Sequence, residues 1–386
     1  MMKILYAPLT LVWAILMVSC SSDDDLIERI TPAQWSREVT DSDVKIQLST
    51  GSKTTKASIT SDENGLFNAK GMSVFCLATD YINPSTITID WNKGSDGFKY
   101  SVWVNNVQIN AKIDKNNEKT NLTWDDDNAR WYPSGSWHKY AFYGYYPRVA
   151  DENISYSSTK ITATIPLDGT QDVIYGEASS TDPTAYSRVY FEKAHKNEIP
   201  AMSFKHKFMR FKFKIAPGSN GNNGTVDALN SGVKKIEVLN VPSEVNLVIA
   251  DRENSSNNGA ISFTPDMNNS YELKTDDAAD GITSLFTHKD NDETTPLAYW
   301  VPSTWSKFIG QGILVPVPTA DNHYYVRVTL VNKKGEEFVS APTLIENTRD
   351  FVAGRSYRIR LTIRGTNSIQ STVVSFPDFT RHFFDS

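Results

Sequence analysis

The chain is 386 residues long, with a net charge of −6, 39% hydrophobic and 11% aromatic residues, and two cysteines. That length suits about two domains and is ample to bury real cores. The acidic balance and scattered basic residues exclude nucleic acid as a partner, and two cysteines exclude zinc sites built on cysteine pairs.

The N-terminal stretch "MMKILYAPLTLVWAILMVSC" has a lysine at position 3, an apolar run from Ile4 to Val18, and small residues before Cys20. The run is short for a membrane span, which needs about 20 apolar residues, and has the plan of a secretory signal. Val18-Ser19-Cys20 resembles the end of a bacterial lipoprotein signal, in which the cysteine is acylated and becomes the new N-terminus. An ordinary signal with an incidental cysteine is the alternative. The following "SSDDD" resembles the acidic surface-export signal of Bacteroidetes lipoproteins; otherwise it is a solvated tether. Residues 1–19 are thus expected to be a signal, and 20–60 a lipidated tether with one alternating stretch, Val44, Ile46 and Leu48.

From residue 72 onward short strands are predicted one after another. "MSVFCLATDY" is apolar on both parities, with Cys76 expected in the core. "STITIDW" alternates Ile87, Ile89 and Trp91, and "FKYSVWVNNVQI" puts Phe98, Tyr100, Val102 and Val104 on one parity. "KYAFYGYYP" and "DVIYGEAS" follow. In "MSFKHKFMRFKFKI" Phe204, His206 and Phe208 share one parity, while Met209, Phe211, Phe213 and Ile215 share the other. One regular strand cannot keep both sets inside, so a bulge or bend is predicted near Phe208 and Met209. "VKKIEVLNVP" and "VNLVIA" resume the strands, the polar segment 251–295 reads as loops, and "AYWVP", "ILVPVP", "HYYVRVTLV" and "SYRIRLTI" complete the set. In the last, Tyr357, Ile359, Leu361 and Ile363 point in and Arg358, Arg360 and Arg364 point out. No window sustains an amphipathic helix. The pattern implies an all-β protein, with two tandem β-sandwiches over residues 61–200 and 201–386.

Motifs for catalysis are absent. The six histidines follow no zinc-protease spacing, no G-x-S-x-G or nucleotide-binding loop occurs, and no enzyme activity or cofactor is expected. His206, within a strand, reads as a packed or edge residue. The acidic runs "DDDNAR" (125–130) and "HKDNDE" (288–293) lack calcium-loop spacing and read as solvated loops. The aromatics between Trp124 and Tyr146 read as a core strand and its covering loop. Exposed, Trp131 and Trp137 could instead stack on sugars.

The block "WYPSGSWHKYAFYGYYP" resembles the fimbrillin family of Bacteroidetes, with its tryptophan, small turn, aromatic strand and Tyr-Tyr-Pro. "DVIYGEAS" (172–179), "MSFKHKFMRFKFKI" (202–215) and "FVAGRSYRIRLTI" (351–363) are similar to further blocks of that family, in the same order. The resemblance implies two transthyretin-like β-sandwiches and a cell-surface fimbrial subunit, whether shaft, tip or anchor. It implies partners among other fimbrial subunits, attachment to the outer membrane through a lipid on Cys20, and an adhesive role toward a host or glycan ligand. It further implies proteolytic removal of an N-terminal segment, here after Arg37 or Lys56, and a donated strand filling the vacated groove. "TTKASIT" (54–60) resembles the family's basic-Ala junction with lysine in place of arginine; a cut at Arg37 would leave the Val44-Ile46-Leu48 stretch attached. The donor is expected after Gly365, with Val373 on one face and Val374 and Phe376 on the other; a last intramolecular strand is the alternative. Competing functional readings are a surface glycan-binding lipoprotein of a polysaccharide-uptake system, using Trp131 and Trp137, and a surface hydrolase.

Overall fold

Apolar residues on alternate positions build strands, because successive side chains of an extended chain point to opposite faces. The computed structural model describes residues 44–376 except 51–68, 83–87, 115, 117–118, 127, 134–137, 194, 219–223, 274–285, 305, 307, 320, 347–350 and 365–368. In chain order the strands are β1 (Leu48–Thr50), β2 (Ala69–Tyr81), β3 (Val102–Asp114), β4 (Lys119–Trp124), β5 (His138–Tyr146), β6 (Ile154–Tyr156) and β7 (Lys160–Pro166). Next come β8 (Ile174–Ala178), β9 (Ala201–His206), β10 (Phe208–Pro217), β11 (Ser231–Val241), β12 (Glu244–Asp251), β13 (Ile261–Ser262) and β14 (Asp266–Glu272). The remainder are β15 (Tyr299–Trp300), β16 (Ile309–Pro316), β17 (Tyr325–Asn332), β18 (Glu337–Val339), β19 (Thr343–Leu344), β20 (Ser356–Ile363) and β21 (Ile369–Phe376). Among the described residues the α-helices are short: α1 (Phe98–Ser101), α2 (Arg188–Lys193) and α3 (Gly224–Leu229). Among the described residues no helix is long and apolar enough to cross a membrane.

The first core lies inside a closed sheet of order β1-β4-β3-β2-β5-β8-β9, with the sheet β13-β12-β7-β6 contributing to the same cluster. Met72, Val74, Phe75, Cys76, Leu77, Phe142 and Tyr145 are fully buried there, as the two-parity reading of β2 implies. The second core lies between the sheets β16-β10-β20-β21 and β14-β11-β17-β18. Its inward rows are Met209, Phe211, Phe213 and Ile215 from β10, and Tyr357, Ile359, Leu361 and Ile363 from β20. The parity conflict in 202–215 is resolved by a break at Lys207. Phe204 and Phe208 belong to the first core and Met209 onward to the second. The Lys207 N–H donates to Val173 O at 2.7 Å, which fixes the bend.

Three local expectations are corrected. Ile89 and Trp91 are buried but not in a strand: Trp91 Nε1 donates to Ala78 O at 3.1 Å, so the ring is anchored across the top of β2. Phe98 to Ser101 form α1, and the strand begins only at Val102. The polar segment 251–295 contains a paired strand, β14, whose Val238↔Tyr271 register buries Tyr271 against the second core. The β12 strand, sequentially beyond β10, pairs with β7 (Val245↔Ile165, Leu247↔Ala163) and places Val245, Leu247 and Ile249 in the first core.

Candidate strand-exchange site

The Val44-Ile46-Leu48 stretch threads between two strands far apart in sequence. Leu48 lies opposite Leu122 of β4 in an antiparallel pair, and Ser49 and Thr50 lie beside Ala201 and Met202 of β9 in a parallel one. Ile46 N–H donates to Arg130 O at 2.7 Å, Tyr132 N–H to Val44 O at 2.9 Å, and Ser49 N–H to Pro200 O at 3.1 Å. An isolated bridge joins Lys45 to Trp131. Ile46 and Leu48 are 3% and 6% exposed, and Val44 packs against the same cluster. Alternation is what makes this possible: the residues of one parity fill the core while the backbone completes two ladders at once.

This short strand closes the first sheet on itself. Without it β4 and β9 would face each other across a slot lined by unpaired backbone groups and the apolar side of the core. Burying each of its aliphatic side chains is worth about 1.5–3 kcal/mol, and each net hydrogen bond about 1 kcal/mol. The β9 wall is held by close packing: Gly144 lies opposite Gly176 in the β5–β8 ladder, and Gly176 opposite Phe204 of β9. The Phe204 ring occupies the space a side chain at Gly176 would need, 2.7 Å from an added Cβ. The glycine in each of "KYAFYGYYP" and "DVIYGEAS" therefore makes room for the strand that lines the slot.

The other candidate partner in exchange is β21, at the edge of its sheet. It runs antiparallel to β20, from Ser356↔Phe376 to Ile363↔Ile369, with Val373 opposite Ile359 and Val374 opposite Arg358. Among the described residues it has one hydrogen-bonded neighbour, where β1 has two. The three-residue β1 is tied to the rest of the sheet through residues 51–68, a stretch that contains Lys56. Lys56, Arg37 and Cys20 lie outside the described residues, as does Trp137.

Trp131 is described, and it is buried at 9% exposure. Its carbonyl accepts from Trp103 Nε1 at 2.9 Å. Tyr132 stacks on Phe191 at 4.7 Å between ring centroids and meets Phe142 edge-on at 6.2 Å. These aromatics are core, not a platform open to sugars. In the nearby acidic loop Arg130 forks onto Asp126 at 2.6 and 2.8 Å, and holds its carboxyl well below the usual carboxylate range. Among the described residues no group of three or more His, Cys, Asp or Glu is placed to hold a metal ion.

A polar cluster at the junction of the two cores was not singled out from the sequence. His206 Nδ1 lies 2.5 Å from Asp172 Oδ2, with side chains 1% and 3% exposed. Arg210 Nε donates to Ser356 Oγ at 3.1 Å, and burial, opposed by the charge of Asp172, lowers its guanidinium to about 10. The signal was the parity of β9: Met202 and Phe204 point inward, so His206 must as well.

The sequence profile of the fimbrillin-like family matches residues 83–375. No curated protein sequence matches the chain. Among solved structures, a protein of Bacteroides uniformis described as a candidate cell adhesion protein is similar at 16% identity and TM-score 0.44, covering 88% of this chain and 100% of its own. A fimbrilin (fimA) from Porphyromonas gingivalis is similar at 10% identity and TM-score 0.37, with coverage of 88% and 100%. The fimbrial anchor protein Mfa2 from Porphyromonas gingivalis is similar at 8% identity and TM-score 0.31, with coverage of 86% and 96%. With three quarters of its length matched by the family profile, and with the strand-built architecture described above, the chain belongs to the fimbrillin-like family.

Proposed function

We propose that the protein is a surface fimbrial subunit that joins its neighbours by strand donation, after reaching the outer face of the outer membrane as a lipoprotein acylated on Cys20. Family membership supports the fimbrial, cell-surface and non-enzymatic part of this reading. The observation that carries the assembly step is the position of residues 44–50: a short segment, hydrogen-bonded on both sides, whose departure would open a slot of the length and polarity a donated strand fills. A donor restores the ladder bonds and supplies alternate side chains to the vacated sites. Linkage of this head-to-tail kind does not close, so it grows a filament. The donor is β21, which gives up a single ladder when it leaves its sheet edge.

The two candidate cleavage points make opposite demands. A cut after Lys56 frees residues 44–50 to leave, whereas a cut after Arg37 keeps them attached and the slot filled. Electron microscopy of the purified protein after lysine-specific proteolysis tests this. Filaments are expected from protein that has lost residues 44–50 and not from protein trimmed only at Arg37. Protein that loses the segment, stays folded and remains monomeric at high concentration would overturn the proposal.

A further inference from the structure

Lys207, the residue at which the chain passes from β9 to β10, is half-buried and lies over the Tyr175 ring, with Nζ 5.2 Å from the ring centre. Among the described residues its ammonium has no hydrogen bond or ion pair. Burial, joined by the charge of Lys205 and opposed by that of Glu177, holds the ammonium below the usual lysine range. The loop between β12 and β13 closes over the same ring. Gly259 there has a φ of +70°, and a Cβ at that position would meet Tyr175 at 2.4 Å and Lys207 Nζ at 2.8 Å. The amine is therefore lodged against the backbone directly after Asn258.

Both ends of the Asn258 side-chain amide are engaged. Its Oδ1 accepts from the Asp251 N–H at 2.8 Å, and its Nδ2 donates to Glu177 Oε2 at 3.1 Å. The Tyr175 hydroxyl lies 3.2 Å from the same Glu177 oxygen and 3.0 Å from Ile249 O. An amine on the β9–β10 bend, a carboxylate on β8 and an amide on the β12–β13 loop thus meet around one buried ring. Each group sits where an amide exchange needs it. A backbone N–H aimed at Oδ1 draws charge from Cγ and meets the oxyanion that forms on attack. A carboxyl beside Nδ2 can protonate the departing nitrogen. A lysine shielded from water gives up its proton more readily and becomes a nucleophile.

We propose that Lys207 and Asn258 join in an intramolecular isopeptide bond, formed with Glu177 as the acid–base group. Rotation of the lysine stem, which no hydrogen bond restrains, brings Nζ to Asn258 Cγ. Nζ attacks Cγ, the Cγ–Nδ2 bond breaks, and Glu177 passes two protons from the lysine to Nδ2, which departs as ammonium. One amide replaces another, so the step needs no oxidant and no second reactant. The bond clasps the bend by which the chain leaves the first core to the loop that follows its return through β12. It closes a loop of backbone that holds β10, α3, β11 and β12, and restricts the unfolded chain as a disulfide does. The reaction uses neither the β1 slot nor cleavage, so it stands or falls separately from strand donation.

Mass spectrometry of the purified chain, intact and after trypsin, tests the assignment. The peptides carrying Lys207 and Asn258 are expected as one branched species, lighter by one ammonia than their sum, with no cut after Lys207. A succinimide at Asn258-Gly259 loses the same ammonia but leaves the two peptides separate. Lys207→Arg and Asn258→Ala should each abolish the branched species, restore the lost ammonia to the intact mass and lower the urea midpoint. Glu177→Gln, checked for folding by far-UV circular dichroism, should form the link about a hundredfold more slowly or not at all. If these variants do not fold, the peptide map of the parent decides. Separate peptides from the folded parent, an ammonia loss that persists in Lys207→Arg, or a link formed at the parent's rate by Glu177→Gln would overturn the proposal.

Discussion

Lys212 shows how a single side chain reports its surroundings. Its ammonium is lowered from 10.5 to about 8, first by burial and then by Arg210 and Lys214. Between those two values the unfolded chain holds a proton that the folded chain has lost, so the contribution of Lys212 to stability rises with pH across that window. Buried Cys76 and buried tyrosines such as Tyr145 and Tyr175 pull the other way, because their raised values let the unfolded chain ionise first, so the effect of Lys212 is read as a difference between parent and variant. In urea denaturation at pH 7.5 and 9.5 the parent should change more favourably than Lys212→Met by about 1 kcal/mol, allowing for partial solvent screening; an equal change in the two proteins would contradict a lowered ammonium at Lys212. At this scale the sequence was half legible. Arg358, Arg360 and Arg364 were read as outward from β20 alone, but that Lys212 and Lys214 share their face depends on a parallel pairing between strands some 146 positions apart. His206 was legible as inward from its parity, while its partner Asp172 was not, since nothing local ties residue 172 to residue 206.

At the scale of elements, β1 is only three residues long yet joins β4 to β9 and closes the first sheet. Leu48→Ala leaves a hole where Leu48 faces Leu122, and such truncations cost about 2–5 kcal/mol when buried. The expected result is a lower urea midpoint together with faster hydrogen exchange at β4 and β9 amides, while β11 and β17 in the second core keep their protection. Loss of protection spread evenly through both cores would contradict a local role for β1. Most strands were legible because alternation and apolar runs are local signals. The failures are physical. "STITIDW" alternates like a strand, yet Trp91 is held by a hydrogen bond from its indole to Ala78 rather than by a ladder. "DMNNSYE" is polar because β14 lies at the edge of its sheet, with only Tyr271 deeply buried, so its composition resembles a loop.

For the whole molecule, the all-β class followed from many short alternating runs, and the four quoted blocks between residues 131 and 363 lie inside the span 83–375 that the family profile matches. Which strands share a core was not legible. The chain crosses from the first core to the second at Lys207, then returns through β12 and β13 to complete the first. Leu167 touches both clusters, and Leu314, from β16, is buried in the first. Such long-range pairing is set by mutual fit of distant faces and leaves no signature within any one segment. It also ties the slot around β1 to the same continuous body as the edge strand β21, with β9 running directly into β10 at Lys207. A subunit that gives a strand at one sheet and takes one at another can then transmit load along a filament through its own backbone.

Intermolecular disulfide trapping tests strand exchange most directly. Leu122→Cys places a thiol on the β4 wall opposite Leu48, and a second cysteine can be moved singly through residues 369–376. Native Cys76 is fully buried and does not compete. After cleavage and loss of residues 44–50, a ladder of covalent oligomers on a non-reducing gel is expected at alternate donor positions, and none from the uncleaved protein. Absence of cross-links at all of these positions, or the same ladder with residues 44–50 still in place, would contradict exchange of β21 into the slot that β1 fills.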